Sequence, residues 1–149
     1  PGKIRTLKVD RGGQITYHGP GQLMFYVLLD IKRLNISASK LITILEESII
    51  NLLTEYNIKS KRRKGAPGIY VADKKIASIG LRITNGLSYH GLSFNYDLDL
   101  FPFSGINTCG FEDLEVTSLK KLRVKEDKNI VQEIILNYLQ HNLITSTLD

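Results

Sequence analysis

Apolar residues recur along this chain with two periods, and the changes of period divide it into elements. Between Ser39 and Tyr56 the residues Leu41, Ile42, Leu45, Ile49, Leu52, Leu53 and Tyr56 fall three or four apart. That spacing predicts an amphipathic helix with Ser37 or Ser39 as its N-cap. A terminal helix is predicted after Asp127, with Ile130, Val131, Ile134, Ile135, Tyr138 and Leu139 as its buried stripe. Leu92, Phe94, Tyr96, Leu98 and Leu100 instead alternate with Ser93, Asn95, Asp97 and Asp99, the pattern of a half-buried antiparallel strand. Leu23 to Ile31 is almost continuously apolar and predicts a strand buried on both faces. Ile69-Tyr70-Val71 and Ile76 to Ile83 read as further strands joined by a turn at Asp73-Lys74-Lys75, and Asn85-Gly86 signals a hairpin before Leu87. Ile15, Thr16 and Tyr17 form a strand or its fringe between two glycine-rich turns, Phe101 to Gly110 a loop, and Ser118 to Leu122 a short helical turn.

This order, strands and a helix followed by several antiparallel strands and a last helix, predicts an α+β fold with a mostly antiparallel or mixed sheet flanked by helices. At 149 residues and 42% hydrophobic content, the chain suffices for one domain, taken as residues 1–149. No run approaches the roughly 18 apolar residues of a membrane span, and no apolar leader follows Pro1, so a cytoplasmic protein without a membrane partner is expected. A single cysteine excludes an internal disulfide and fits a reducing compartment. The net charge of +5 favours an acidic partner. Its densest stretch, Lys59, Lys61, Arg62, Arg63 and Lys64, reads as an exposed loop able to steer such a partner; it lacks the interleaved aromatic residues of a nucleic-acid platform, so no nucleic acid is expected.

Candidate chemistry concentrates in three places. Arg11-Gly12-Gly13-Gln14-Ile15-Thr16-Tyr17-His18-Gly19-Pro20-Gly21-Gln22 is dense in glycine and polar side chains, so its backbone can approach a ligand closely; it is neither a P-loop nor a dinucleotide fingerprint. His18 and His90 each follow a tyrosine and precede a glycine at the end of a strand-like segment, as if flanking one cleft. Together with Cys109 they lack the paired spacing of a zinc site, and no metal is expected. Cys109 stands in a loop without apolar periodicity, where an inert thiol and a nucleophile are both compatible with the pattern. A nucleophile would need a neighbouring base or cation, and Lys75, beside Ala77-Ser78-Ile79-Gly80, is a candidate unless it is simply a surface turn lysine.

Four ordered blocks resemble the octanoyltransferases of lipoate biosynthesis, the lipoyl(octanoyl) transferases: Arg11 to Gln22; Gly65 to Val71; Lys75 to Arg82; and His90-Gly91-Leu92-Ser93-Phe94-Asn95 continuing to Asn107-Thr108-Cys109-Gly110. The resemblance implies a fold like that of biotin and lipoate protein ligases and the absence of a cofactor. It implies Cys109 as the acyl-thioester nucleophile and Lys75 as its partner. It implies a substrate pocket formed by Arg11, Gly12, Gly13, Gln14, Ile15, Thr16, Tyr17 and His18 with Ser78, Ile79, Gly80, Gly91, Leu92 and Ser93. The implied donor is octanoyl-acyl carrier protein, and the acceptors are lipoyl domains of 2-oxoacid dehydrogenases and the glycine cleavage H protein. Thr108 stands where such proteins commonly carry proline, and the family's further N-terminal segment is expected to be missing here. Two other readings stand beside this one: an ATP-dependent lipoate or biotin ligase, which has no use for Cys109, and a basic nucleic-acid-binding module.

Overall fold

A computed structural model describes residues 4–107 and 114–146. Five antiparallel strands, β1 (Gln22–Tyr26), β2 (Lys61–Arg62), β3 (Gly68–Val71), β4 (Lys74–Thr84) and β5 (Leu87–Asn95), form one sheet in the order β1-β5-β4-β3-β2. Helices α1 (Ala38–Glu55) and α2 (Lys128–Ser146) pack on one face of it, giving the expected α+β architecture. No helix among the described residues is long and apolar enough to cross a membrane.

α1 forms where the periodicity places it. Ser37 is the N-cap, its Oγ accepting from the Lys40 amide at 3.0 Å, and Leu41, Leu45, Leu52 and Leu53 are completely buried. Each such leucine contributes about 1.5–3 kcal/mol over an exposed position. Asp127 caps α2 through its carboxylate, which accepts from the Asn129 amide at 2.8 Å. The α2 stripe is narrower than predicted: Val131, Ile135 and Leu139 are buried, while Ile130 is exposed because α2 covers α1 and the sheet along one ridge only.

The β4–β5 hairpin is the spine of the sheet. Asn85 and Gly86 take φ of 54° and 86°, the left-handed pair that a two-residue turn needs to match strand twist. Pairing then runs from Thr84↔Leu87 to Ala77↔Phe94. β3 and β4 are joined by a second two-residue turn, Ala72-Asp73, with φ of 45° and 66°. The sequence prediction placed this turn at residues 73–75, because Ala-Asp carries no conventional hairpin signal and Lys74 and Lys75 resemble loop residues. Both lysines belong to β4.

Four expectations differ from the structure. Leu23 to Ile31 is not a strand buried on both faces: β1 ends at Tyr26, pairs with β5 alone, and buries Leu23 and Phe25 while Met24 and Tyr26 remain exposed. Ile15, Thr16 and Tyr17 are irregular. β5 stops at Asn95, and Ser93 and Asn95, expected to face solvent, are buried. The basic run is not all loop, since Lys61 and Arg62 pair with Tyr70 and Ile69. In β1 and β5 the sheet's second face is neither core nor open surface. It lines a cleft, where apolar and polar side chains mix.

Ala72 is exposed and occupies a backbone region that costs a residue with a Cβ about 1–2 kcal/mol. Ala72→Gly should therefore raise stability by about 0.5–1 kcal/mol in urea denaturation with the slope unchanged. Leu45→Ala should lower it by about 2–5 kcal/mol.

Candidate functional site

The cleft encloses about 810 Å³ on the sheet face opposite the helices, within the roughly 300–1,000 Å³ of ligand sites. Its floor follows from strand register. Antiparallel pairing sets Gly80 opposite Gly91 and Ser78 opposite Ser93, with Met24 and Tyr26 of β1 continuing the same face. A Cβ at Gly91 would stand 2.0 Å from the Phe25 carbonyl oxygen, and one at Gly80 would stand 3.1 Å from Arg11 Cδ and 3.2 Å from the Gly12 carbonyl. The bare Gly91 lets β1 close on β5, while Gly80 and Gly12 let residues 11–13 lie against β4, where the Gly12 amide donates to the Leu81 carbonyl at 3.1 Å. Residues 11–18, 78–80 and 91–93, singled out from sequence, all line this cleft, as do the preceding residues 4–9 and both His18 and His90.

One end of the segment is clamped to β5 by Asp10, which the sequence reading overlooked. Its carboxylate accepts from the Tyr89 hydroxyl and pairs with His90 Nε2 at 3.1 Å. The Tyr89 hydrogen bond, and after it the one from His90, holds the Asp10 carboxyl below its ordinary 3.8. His90 carries φ of 63°, which turns its carbonyl to accept the Val27 amide at 2.7 Å and ties the end of β1 to the same corner.

A polar line crosses from the cleft into the protein. His18 Nδ1 lies 2.8 Å from Gln22 Oε1, Gln22 Nε2 donates to Asn95 Oδ1 at 2.9 Å, and Asn95 Nδ2 donates to the Thr117 carbonyl at 3.0 Å. The Thr117 amide donates in turn to the Lys75 carbonyl at 2.9 Å. In sequence Gln22 only closes the glycine-rich block, and alternation alone puts Asn95 on the solvent side. No local pattern separates a polar residue that closes a buried hydrogen bond from one that faces solvent, since both take the polar place in the alternation.

Lys75 is not a turn lysine. It is 1% exposed, with Nζ 5.5 Å from the Tyr70 ring centroid, and its backbone is bridged to residues 115–117, the Glu115 carbonyl accepting its amide at 2.8 Å. Gly68 makes space for the stem: at φ of 130°, a Cβ there would stand 2.3 Å from the Ala77 carbonyl and 2.7 Å from Lys75 Cε. The Gly68 amide is held by the buried carboxylate of Glu46 on α1, at 3.0 Å, and Glu46 also accepts from Arg62 Nε at 2.9 Å. Cys109 lies outside the described residues. Within the basic run, Lys61 pairs with Asp73 at 2.7 Å and Arg62 with Glu46 and Glu47, so part of that charge is matched internally.

Comparison with known proteins adds a family. The profile of the lipoyl protein ligase A/B catalytic domain matches residues 2–140. An octanoyltransferase of Dechloromonas aromatica is 54% identical over 121 residues, 81% of this chain and 59% of that protein. An octanoyltransferase of Xanthomonas campestris pv. campestris is 49% identical over 139 residues, 93% of this chain and 60% of that protein. The chain thus spans about three-fifths of the length of these relatives. Among solved structures, a lipoate-protein ligase A bound with ATP superimposes with a TM-score of 0.71 at 16% identity, covering 90% of this chain and 57% of that one. A biotin protein ligase from Aquifex aeolicus does so with a TM-score of 0.70 at 20% identity, covering 87% of this chain and 56% of that one. These two likenesses establish the fold.

Two outcomes follow from this geometry. A carboxyl titration by NMR should give Asp10 a midpoint below 3.8, and Tyr89→Phe should move it upward. Because that value is depressed, the clamp's contribution is complete above the ordinary carboxylate range and is lost as pH falls through the lowered midpoint. Gly68→Ala should destabilise the fold by about 1–3 kcal/mol in thermal or urea denaturation, since both backbone conformation and the Lys75 stem oppose the added methyl.

Proposed function

Because the match over residues 2–140 makes this chain a member of the lipoyl protein ligase A/B catalytic domain family, we propose that it is an octanoyltransferase acting through a Cys109 thioester. The observation that carries this reading is the placement of Lys75. Its side chain is buried, and its backbone is bonded to Glu115–Thr117, the segment that begins six residues after the chain's only thiol. Six residues span at most about 20 Å, a separation compatible with an approach of the thiol to the Lys75 amine. Identity at about half the aligned positions with octanoyltransferases supports the cargo.

The Cys109 thiolate attacks the carbonyl carbon of octanoyl-acyl carrier protein. The carbon–sulfur bond to the carrier breaks, and the Lys75 ammonium gives the departing sulfur its proton, so that the carrier leaves as a thiol and Lys75 is left as a neutral amine. A lipoyl-domain lysine amine then attacks the new thioester, the amide bond forms as the Cys109 carbon–sulfur bond breaks, and the amine's proton passes to the Lys75 amino group. The donor is already activated, so no ATP and no cofactor are required. Residues 11–18, 78–80 and 91–93 hold the acyl chain, with backbone amides of the glycine-bearing segments near the oxyanion. Basic surface suits the acidic carrier, the acceptors are lipoyl domains of 2-oxoacid dehydrogenases and the glycine cleavage H protein, and the reducing compartment that keeps the thiol free is the cytoplasm.

Incubation with octanoyl-carrier protein should leave an octanoyl adduct on Cys109 in intact mass spectra, released by hydroxylamine and absent in Cys109→Ser. Product that forms only from free acid and ATP would instead support a ligase. Lys75→Ala should raise the pH at which an alkylating reagent modifies Cys109, and an unchanged profile would remove Lys75 from the site.

A further inference from the structure

The hydrogen-bond line from His18 to Thr117 has a direction, fixed at its buried end by a backbone carbonyl that can only accept. Asn95 must turn Nδ2 to Thr117, which leaves its Oδ1 as an acceptor. Gln22 must then turn Nε2 to Asn95, which leaves Oε1 as the acceptor facing His18. The proton between Gln22 Oε1 and His18 Nδ1 therefore belongs to the histidine. A neutral His18 is the Nδ1–H tautomer, with its lone pair on Nε2. His90 is held in the opposite state, because Nε2 faces the Asp10 carboxylate and carries the proton there.

We propose that Gln22 and Asn95 are positioning residues that fix the tautomer of His18, so that Nε2 offers a hydrogen-bond acceptor to an N–H of the ligand in the cleft. Taking that cleft as the acyl-transfer site proposed above, the matching donor is the attacking lysine amine. An amine whose N–H points at Nε2 has its rotation restricted and its lone pair free for the thioester carbon. Nothing at the Gln22 end needs charge. Neutral amides set the direction, and the buried Asn95, 5% exposed, cannot readily turn over without orphaning the Thr117 carbonyl. The same line ends one hydrogen bond from the Lys75 backbone, so both groups that would attend the amine are held by one network.

The test reads the tautomer on the chain alone. In long-range proton–nitrogen spectra of the ¹⁵N-labelled protein, at a pH where both rings are neutral, His18 should show a protonated Nδ1 and an unprotonated Nε2, and His90 the reverse. Gln22→Glu keeps an acceptor beside Nδ1 and should preserve the His18 pattern, whereas Gln22→Met should release the ring to the Nε2–H form. A wild-type His18 protonated on Nε2, or an unchanged pattern in Gln22→Met, overturns the proposal. Gln22 is only half-buried, so these variants do not depend on replacing Asn95 in the interior. With the acyl adduct preformed, transfer to a lipoyl-domain lysine should slow about tenfold in Gln22→Met and not in Gln22→Glu, about 1.4 kcal/mol of barrier; equal rates in both variants would refute the role toward the amine. Failure to form any adduct would instead count against the acyl-transfer reading and leave the spectra to decide the relay.

Discussion

β4 and β5 pair so that Gly80 faces Gly91, and this register places one glycine under residues 11–13 and the other under the β1 backbone at Phe25. Strand side chains alternate between faces, so a slip of one residue would replace the paired glycines with side chains from the other face. The Asn85-Gly86 turn fixes the alignment at the hairpin tip, and every pair down to Ala77↔Phe94 inherits it. Residues 11–13 then settle across Gly80, β1 closes over Gly91, Asp10 reaches Tyr89 and His90, and the cleft acquires its wall. The cleft is thus a consequence of backbone register before it is a consequence of any polar side chain.

The interior behind the cleft holds buried polar and charged side chains among the apolar core. Lys75, Glu46 and Asn95 are all buried, and the Glu46 carboxylate and the Asn95 amide are each bonded to backbone as well as to a side chain. Burying such groups is costly unless they are hydrogen-bonded, and they are retained where position matters more than stability. Glu46 shows how remote the control can be. From α1 it holds the Gly68 amide, and Gly68 in turn leaves the space that the Lys75 stem crosses. A helix on the core face thereby sets the conformation of a lysine at the end of a strand.

Long-range charge acts differently. The basic run at residues 59–64 looks continuous in sequence, but Lys61 and Arg62 are engaged by Asp73, Glu46 and Glu47. Such pairs, mostly exposed and screened, contribute little to stability. They also reduce the field that this run would otherwise present to solvent.

The sequence by itself determined the elements whose signals are local: α1 with its Ser37 cap, the Asn85-Gly86 hairpin, the α+β class, and the glycine-rich and small-residue segments that come to line one cleft. Periodicity and turn chemistry act over a few residues, so they survive without knowledge of neighbours. Only tertiary structure decided the rest. It decided that β1 is an edge strand whose apolar outer residues face a cleft, that Lys75 is buried, and that Asp10, Gln22 and Asn95 have side-chain partners 73 to 80 residues away. Hydropathy reports how much a side chain avoids water; it does not report what replaces the water. A polar residue facing solvent and one closing a buried hydrogen-bond line look alike until the strands are paired.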